Sequence, residues 1–361
     1  MYGIISDTHC HNWSMFSSIN SNGVNSRLEI ILEEIRSAGN TLLAQGATHL
    51  FHAGDLFHVR GSVAPSVLNP TLAVFEILVK SGLNVVLTCG NHDAEFRETT
   101  SLGSAIEAFR AIGCKVINEQ PEVIYVSENE AVVVVPWCPT KDIFLQTIKK
   151  IEVPNVPFDI VTHVALDGVF GGISASAIVD VNEVKEIFKG TKFKRIFAGH
   201  LHRHKQINDF AWSVGAIAHH NWGDVGANAG FLVVDSADVI HYPSTAPKFV
   251  ELSQVHKPTE VVNNYVRVTI EATSEREVKE IRQCLLDEGA MGVTIISKTP
   301  EIVRSDRIDV KSEGGLPCVE DLVGKFVDNM NEQYERKINP EGVKEIKQMT
   351  LEILKEAEND L

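Results

Sequence analysis

Thr48-His49-Leu50-Phe51-His52-Ala53 runs into Gly54-Asp55-Leu56-Phe57-His58, and Asn84-Val85-Val86-Leu87-Thr88-Cys89 runs into Gly90-Asn91-His92-Asp93. In each pair a short, largely apolar run stops at a glycine and empties into Asp, Asn and His. The first half reads as a buried strand, and the second as a turn at its carboxyl end. Working outward, the same grammar recurs at Asp7-Thr8-His9 after residues 2–6, at Thr162-His163 after 158–162, and at Gly199-His200-Leu201-His202 after 195–198. A further strand is expected at 131–136. Helix-like stretches at 27–44, 70–80, 104–112 and 182–188 lie between the strands. Strand–helix alternation of this kind predicts a layered α/β fold.

In an open α/β sheet, ligands collect beyond the carboxyl ends of the strands. Five strand ends that each deliver metal-type donors therefore point to one site. A lone Gly-Asp or Gly-Asn-His is common, and a lone His is more often structural; five in order, each behind an apolar run, are not coincidence. Asp7 and His9, like His200 and His202, are two residues apart, so in extended backbone each pair projects to one side. Gly54 and Gly90 allow tight turns and close approach to a bound group. Carboxylate, imidazole and amide oxygen suit Mn, Fe or Zn rather than Cu(I). Two cations about 3.5–4 Å apart need a shared carboxylate, and Asp55 is central in the series.

The 361 residues carry 33 Lys+Arg and 48 Asp+Glu, a net charge of −15, with 44% hydrophobic and 22% charged residues. That composition excludes a disordered chain and argues against passive adhesion to polyanions, though a local basic groove stays compatible with it. No apolar run approaches a membrane span, and no secretory leader precedes the first strand. The six cysteines are scattered without a CxxC pair. The expectation is a cytoplasmic protein with free thiols and no membrane partner.

The turn-rich Tyr242-Pro243-Ser244-Thr245-Ala246-Pro247 ends the first region. Three domains are expected: 1–245, an α+β cap at 246–312 with strand, helix and strand at 265–270, 274–287 and 291–297, and a helical segment at 313–361. In the last, Val319, Leu322, Val323, Phe326 and Met330 fall at helical spacing. Asn339-Pro340 then opens a second helix with Val343, Ile346, Met349, Ile353 and Leu354 on one face.

DxH…GDxxH…GNHD…H…GHxH resembles the signature of the calcineurin-like metallophosphoesterases, and within them is most similar to the Mre11/SbcD nucleases, including phage nuclease subunits. The stretches Val214-Gly215-Ala216-Ile217 and Asn221-Trp222-Gly223-Asp224 are similar to phage members. The resemblance implies a sheet sandwich flanked by helices, with the cap and a C-terminal helical pair. It implies two divalent ions, Mn2+ first, with Mg2+, Fe2+ or Zn2+ as alternatives. One ion would be held by Asp7, His9, Asp55 and His202, the other by Asp55, Asn91, His163 and His200. His92 would be the catalytic histidine, Asp93 would orient it, and His58 would help place the scissile phosphate. Thr162 and Ala216 stand where Gly and Ser are common in the family.

The implied activity is a DNA phosphodiesterase, exo- or endonucleolytic, in recombination, repair or degradation of DNA. The implied partners are DNA, an SbcC/Rad50-like ABC-type ATPase subunit docking on the C-terminal pair, and a second copy of the chain through helices near 68–78. The rival is a phosphoesterase of the same fold acting on nucleotides or phosphoproteins. His49 and His52 read as core residues; His11, His204, His219 and His220 lie near the motifs.

Overall fold

The computed structural model describes residues 1–95, 103–169, 177–253, 258–270, 274–297 and 339–359, together with 325, 327, 328 and 331. The chain forms two compact units, 1–298 and 299–361.

The first unit is built on two six-stranded sheets. In one, strands Tyr2–Ile5, His49–His52, Asn84–Thr88 and Lys115–Ile117 run parallel, and the antiparallel hairpin Gly230–Val234/Val239–Pro243 closes the edge beside Tyr2–Ile5. In the other, Ala211–Ser213, Phe193–Gly199, Phe158–His163 and Glu130–Val135 run parallel, with Lys205–Gln206 and Glu122–Ser127 antiparallel at the two edges. The change of direction that the sequence left open thus falls at the outer strands.

Both faces of each sheet are buried, which is why the strands read as continuous apolar runs. Ile4, Phe51, Val132, Val134, Val161 and Phe197 point between the sheets into one core. Their neighbours Ile5 and Leu50 face helices Ser26–Ala44 and Pro65–Lys80 on one outside. Val133 and Val135 face helices Lys141–Ile148 and Val181–Ile187 on the other. The layered α/β expectation holds, as helix, sheet, sheet, helix.

Local differences have local causes. The second helix begins at Pro65, in the first turn where a missing N–H costs nothing, rather than at Pro70, which the helix carries inside it. Its apolar residues Val67, Val74, Phe75 and Leu78 are buried, whereas Ala73 and Ile77 stay exposed. Residues Ala105–Ile112 form a 3₁₀ helix. Near 265–297 the expected strand–helix–strand is present as Tyr265–Ile270, Glu275–Asp287 and Gly292–Ser297. A third parallel strand, Phe249–Leu252, joins it. This small sheet has its own core of Leu252, Val266, Val268, Leu285 and Val293. It meets the body around Arg27, whose guanidinium lies 5.0 Å from the rings of Trp13 and Phe249 and 5.3 Å from that of Tyr265.

In the second unit, helix Pro340–Asn359 starts as expected, with Asn339 Oδ1 accepting from the Gly342 N–H at 2.8 Å. The expected helix through Val319, Leu322, Val323, Phe326 and Met330 lies outside the described residues apart from 325, 327 and 328.

One buried polar link ties the sheets together. Arg195 donates twice to Asp159, at 2.9 and 2.7 Å, and the Tyr2 hydroxyl donates to the same carboxylate at 2.5 Å from across the sandwich. Asp159→Ala would leave the guanidinium buried without its anion. It should cost about 3–5 kcal/mol of stability, read as a lowered denaturation midpoint with metal content unchanged.

Candidate metal centre

Every parallel strand of the two sheets that precedes a motif points its carboxyl end to the same side, and the sandwich brings those ends together. Two donor groups of expected ligands result, Asp7/His9/His202 and Asp55/His163/His200, and a third grouping, His9/His58/His92, shares His9 with the first; ligand atoms within each lie no more than 4.8 Å apart. Nε2 of His9 and Nε2 of His202 are 3.1 Å apart. In the second group Asn91 Oδ1 is 2.8 Å from His200 Nδ1 and 3.1 Å from His163 Nε2. Asp55 Oδ2 lies 3.3 Å from His163 Nε2 and 3.7 Å from His9 Nε2, so it reaches both groups. The structure therefore assembles all seven expected ligands, Asp55 between the others.

Two of the imidazoles are held so that Nε2 faces inward. His163 Nδ1–H donates to the Ala53 carbonyl at 2.7 Å, and His202 Nδ1–H donates to Asp224 at 2.7 Å. Each bond commits Nδ1 and aims Nε2 at the centre, where it can coordinate a cation once its proton is displaced. Nε2 of His9, His163 and His202 and Nδ1 of His200 lie close to one another and to the side-chain oxygens of Asp55 and Asn91. The donor set fits two divalent cations.

The spacing argument needs correction. Asp7 and His9 are not extended: their φ angles are 48° and 42°, and those of Asp55 and His200 are 58° and 88°. These are four of the six non-glycine residues with positive φ among those described, a concentration of backbone strain at one place. The turn is pinned by Asp7 N–H to the Gly54 carbonyl and His9 N–H to the Asp55 carbonyl, both 3.0 Å. His200 and His202 do not project together either; they serve different groups. The glycines also act differently. A Cβ on Gly54 (φ 92°) would lie 2.3 Å from His163 Nδ1, and one on Gly90 would lie 2.2 Å from the Asp55 nitrogen. They make room for the ligands rather than for a bound group.

His92 and His58 stand on the open side, half-buried and stacked at 5.5 Å. His92 Nδ1–H donates to the His58 carbonyl at 2.6 Å, which leaves Nε2 facing away from it. The expectation that Asp93 orients His92 is not met. The Asp93 carboxylate accepts instead from the backbone N–H groups of Leu56, Phe57 and Gly90, at 3.2, 3.0 and 2.9 Å. It is adjacent in sequence to His92 but staples the Asp55 loop to the Asn91 loop. Burial, then the neighbouring Asp55, push its pKa up to about 6. Asp55 itself is opposed by burial, yet facing His163 and then His9 hold its carboxyl well below the usual range. Its charge is therefore in place before any cation arrives.

Asp224 had no assigned role in the sequence. Besides accepting from His202, it accepts from the His220 and Asn221 N–H groups at 2.7 and 3.2 Å. His220, considered for substrate contact, is buried behind the centre and donates from Nε2 to the Asp7 carbonyl at 2.8 Å. His219 bridges the Ala227 carbonyl and the Phe249 N–H, and His52 is buried against Thr8.

Burial disfavours the charged form of His202, but Asp224 and then Asp7 raise its pKa to about 8. Below that pH a cation must displace a proton, so affinity at this group should rise as pH rises toward about 8. Asp224→Asn should move that dependence to lower pH and weaken binding about 10–100-fold. Metal titration calorimetry across this pH range checks both.

Among solved structures, a dimetal phosphatase from Danio rerio is similar at 10% identity over 64% of this chain and 90% of that one, with a TM-score of 0.38. The nuclease MPE of Pseudomonas putida is similar at 20% identity over 56% and 62% of the two chains, with a TM-score of 0.24. No curated protein matches the chain. Among the described residues no helix is long and apolar enough to cross a membrane. The family model for calcineurin-like phosphoesterases matches residues 2–204, more than half of the sequence and all seven metal-binding candidates, and the chain belongs to that family.

Proposed function

We propose that this protein is a two-metal DNA phosphodiesterase, the nuclease subunit of a complex with an SbcC/Rad50-like ATPase, using Mn2+ in preference to Mg2+, Fe2+ or Zn2+. The observation that carries the hydrolytic part is the pair of donor groups meeting at Asp55, with His92 on their open side. Divalent cations held there supply Lewis acidity, activating water and neutralising phosphoryl oxygens. The chain's own part is to hold the phosphate and manage one proton. His92, positioned by the His58 carbonyl, gives a proton from Nε2 to the departing sugar oxygen. His58, stacked on it, keeps the imidazole plane fixed and flanks the phosphate.

DNA as substrate is supported by the likeness of the GDLFH and GNHD motifs to the Mre11/SbcD nucleases and by the small sheet beside the phosphoesterase body. Cleavage of DNA and of bis(p-nitrophenyl) phosphate, each with Mn2+ and with Mg2+, tests the reading. Turnover of the small ester without any cleavage of DNA would refute it. The net charge of −15 favours the rival, a phosphoesterase acting on nucleotides or phosphoproteins.

For the ATPase partner the support is the Pro340–Asn359 helix, on which Ile346 and Met349 are exposed. Self-association through the face carrying Ala73 and Ile77 belongs to the same proposal. Deleting 313–361 should leave Mn2+-dependent cleavage of small and single-stranded substrates intact while abolishing ATPase binding and ATP-stimulated processing of duplex ends. A truncated protein that aggregates or melts much earlier would place the tail in the core instead.

A further inference from the structure

One strand of the second sheet reaches the candidate centre without bringing a metal ligand. Glu130–Val135 pairs parallel with Phe158–His163, Val135 opposite Thr162, so its continuation Pro136-Trp137 emerges at the edge that carries His163. The Trp137 N–H donates to the Cys89 carbonyl at 3.0 Å, which ties the indole-bearing loop to the residue just ahead of Gly90-Asn91. Trp137 is half-buried.

A cavity of about 170 Å³ opens beside it, and two of its walls are Asn91 and His200 of the candidate centre. The rest of the lining is mixed: Trp137, Pro139 and Val179 are apolar, Thr140 and Arg60 are polar, and Lys141 is paired with Glu183 at 2.8 Å. Arg60 is exposed and has no ion-pair partner among the described residues. The cavity therefore offers an aromatic side chain, apolar lining and a cation in one space with two residues that would hold a metal ion. A bare phosphate group would use only the cation. A flat ring attached next to the phosphate would use all three, and the volume admits one ring rather than a base pair.

We propose that this cavity is a base-binding subsite: one unpaired nucleobase adjoining the scissile phosphate stacks on Trp137, while Arg60 meets the next phosphate. The proposal rests on the nuclease reading above and deepens it. Because every base has a π face, the subsite is tolerant of sequence. Because a paired base does not fit, it selects single-stranded or frayed ends.

The test uses the full-length, Mn2+-loaded protein and three substrates: the dinucleotide TpT and its two analogues in which one or the other base is removed. The wild type should lose roughly tenfold in kcat/KM on one analogue, within the range expected for one stacked base. Trp137→Ala should lose the same factor on TpT and nothing further on that analogue, and Trp137→Phe should retain most of the preference. Circular dichroism shows that each variant is folded, and the phenylalanine variant carries the test if the alanine variant is not. Arg60→Ala should keep the dinucleotide pattern and lose the salt-dependent gain that a trinucleotide's extra phosphate brings. Equal cleavage of all three substrates by the wild type, or undiminished preference in Trp137→Ala, would overturn the subsite while leaving the nuclease reading intact. Turnover of bis(p-nitrophenyl) phosphate with no cleavage of any nucleotide substrate would instead overturn the nuclease reading, and the subsite with it.

Discussion

Asp55→Asn should reduce phosphodiester cleavage by more than the 10–100-fold typical of losing a group that merely supports a ligand, to about 10³-fold or beyond, and should deplete metal at both positions. The reason is its location. Its carboxylate lies within 4 Å of an imidazole nitrogen from each donor group. An amide keeps the shape and the hydrogen bond from the His92 N–H, 2.8 Å long in the native protein, but carries no charge to offset two cations. Elemental analysis of the purified variant is the measurement. Two full equivalents of metal would show that Asp55 is not shared.

His92→Asn should separate chemistry from binding. His92 Nδ1 is committed to the His58 carbonyl, so only Nε2 is available to a substrate oxygen. Asparagine at this position cannot supply a proton at that point. Turnover should fall by something like 10²–10⁴-fold, the range for a general acid, with metal content and DNA affinity unchanged. Loss of metal would make His92 a ligand, a role its place in the grouping with His9 and His58 would then explain.

What the sequence made legible follows from how strongly each feature is dictated by physics. Although the interior strands Ala211–Ser213 and Gly230–Val234 escaped notice, the central strands that lead into the motifs carry apolar side chains on both faces and stood out. The edge strands Glu122–Ser127 and Val239–Pro243 are half solvated, mix Glu, Tyr, Ser and His with their valines, and did not. The ligands were legible because each follows a buried strand immediately. Asp224 was not: it comes 22 residues after His202, where Asn221 and Asp224 cap a short 3₁₀ turn, and nothing in that local pattern announces that its other carboxylate oxygen accepts from His202. The misreading of Asp93 has the same origin. Sequence adjacency to His92 suggested a contact, whereas the loop turns its carboxylate toward the backbone of a different strand end.

The positive φ angles at Asp7, His9, Asp55 and His200 bear on how this centre can vary over generations. Apart from glycine, the residues that enter the left-handed region most readily are Asn, Asp and His, and β-branched residues are genuine outliers there. Held in that conformation, an ill-suited side chain costs on the order of 1–3 kcal/mol before any chemistry is considered. The loops thus screen mutations by shape first, and what passes the screen is, glycine aside, a vocabulary of coordinating side chains. A lineage released from selection for catalysis would drift at these four positions toward Asn and Gly long before it reached Val or Ile. Its loops would keep their form, and single nucleotide changes such as Asn back to Asp or His would suffice to restore a lost ligand.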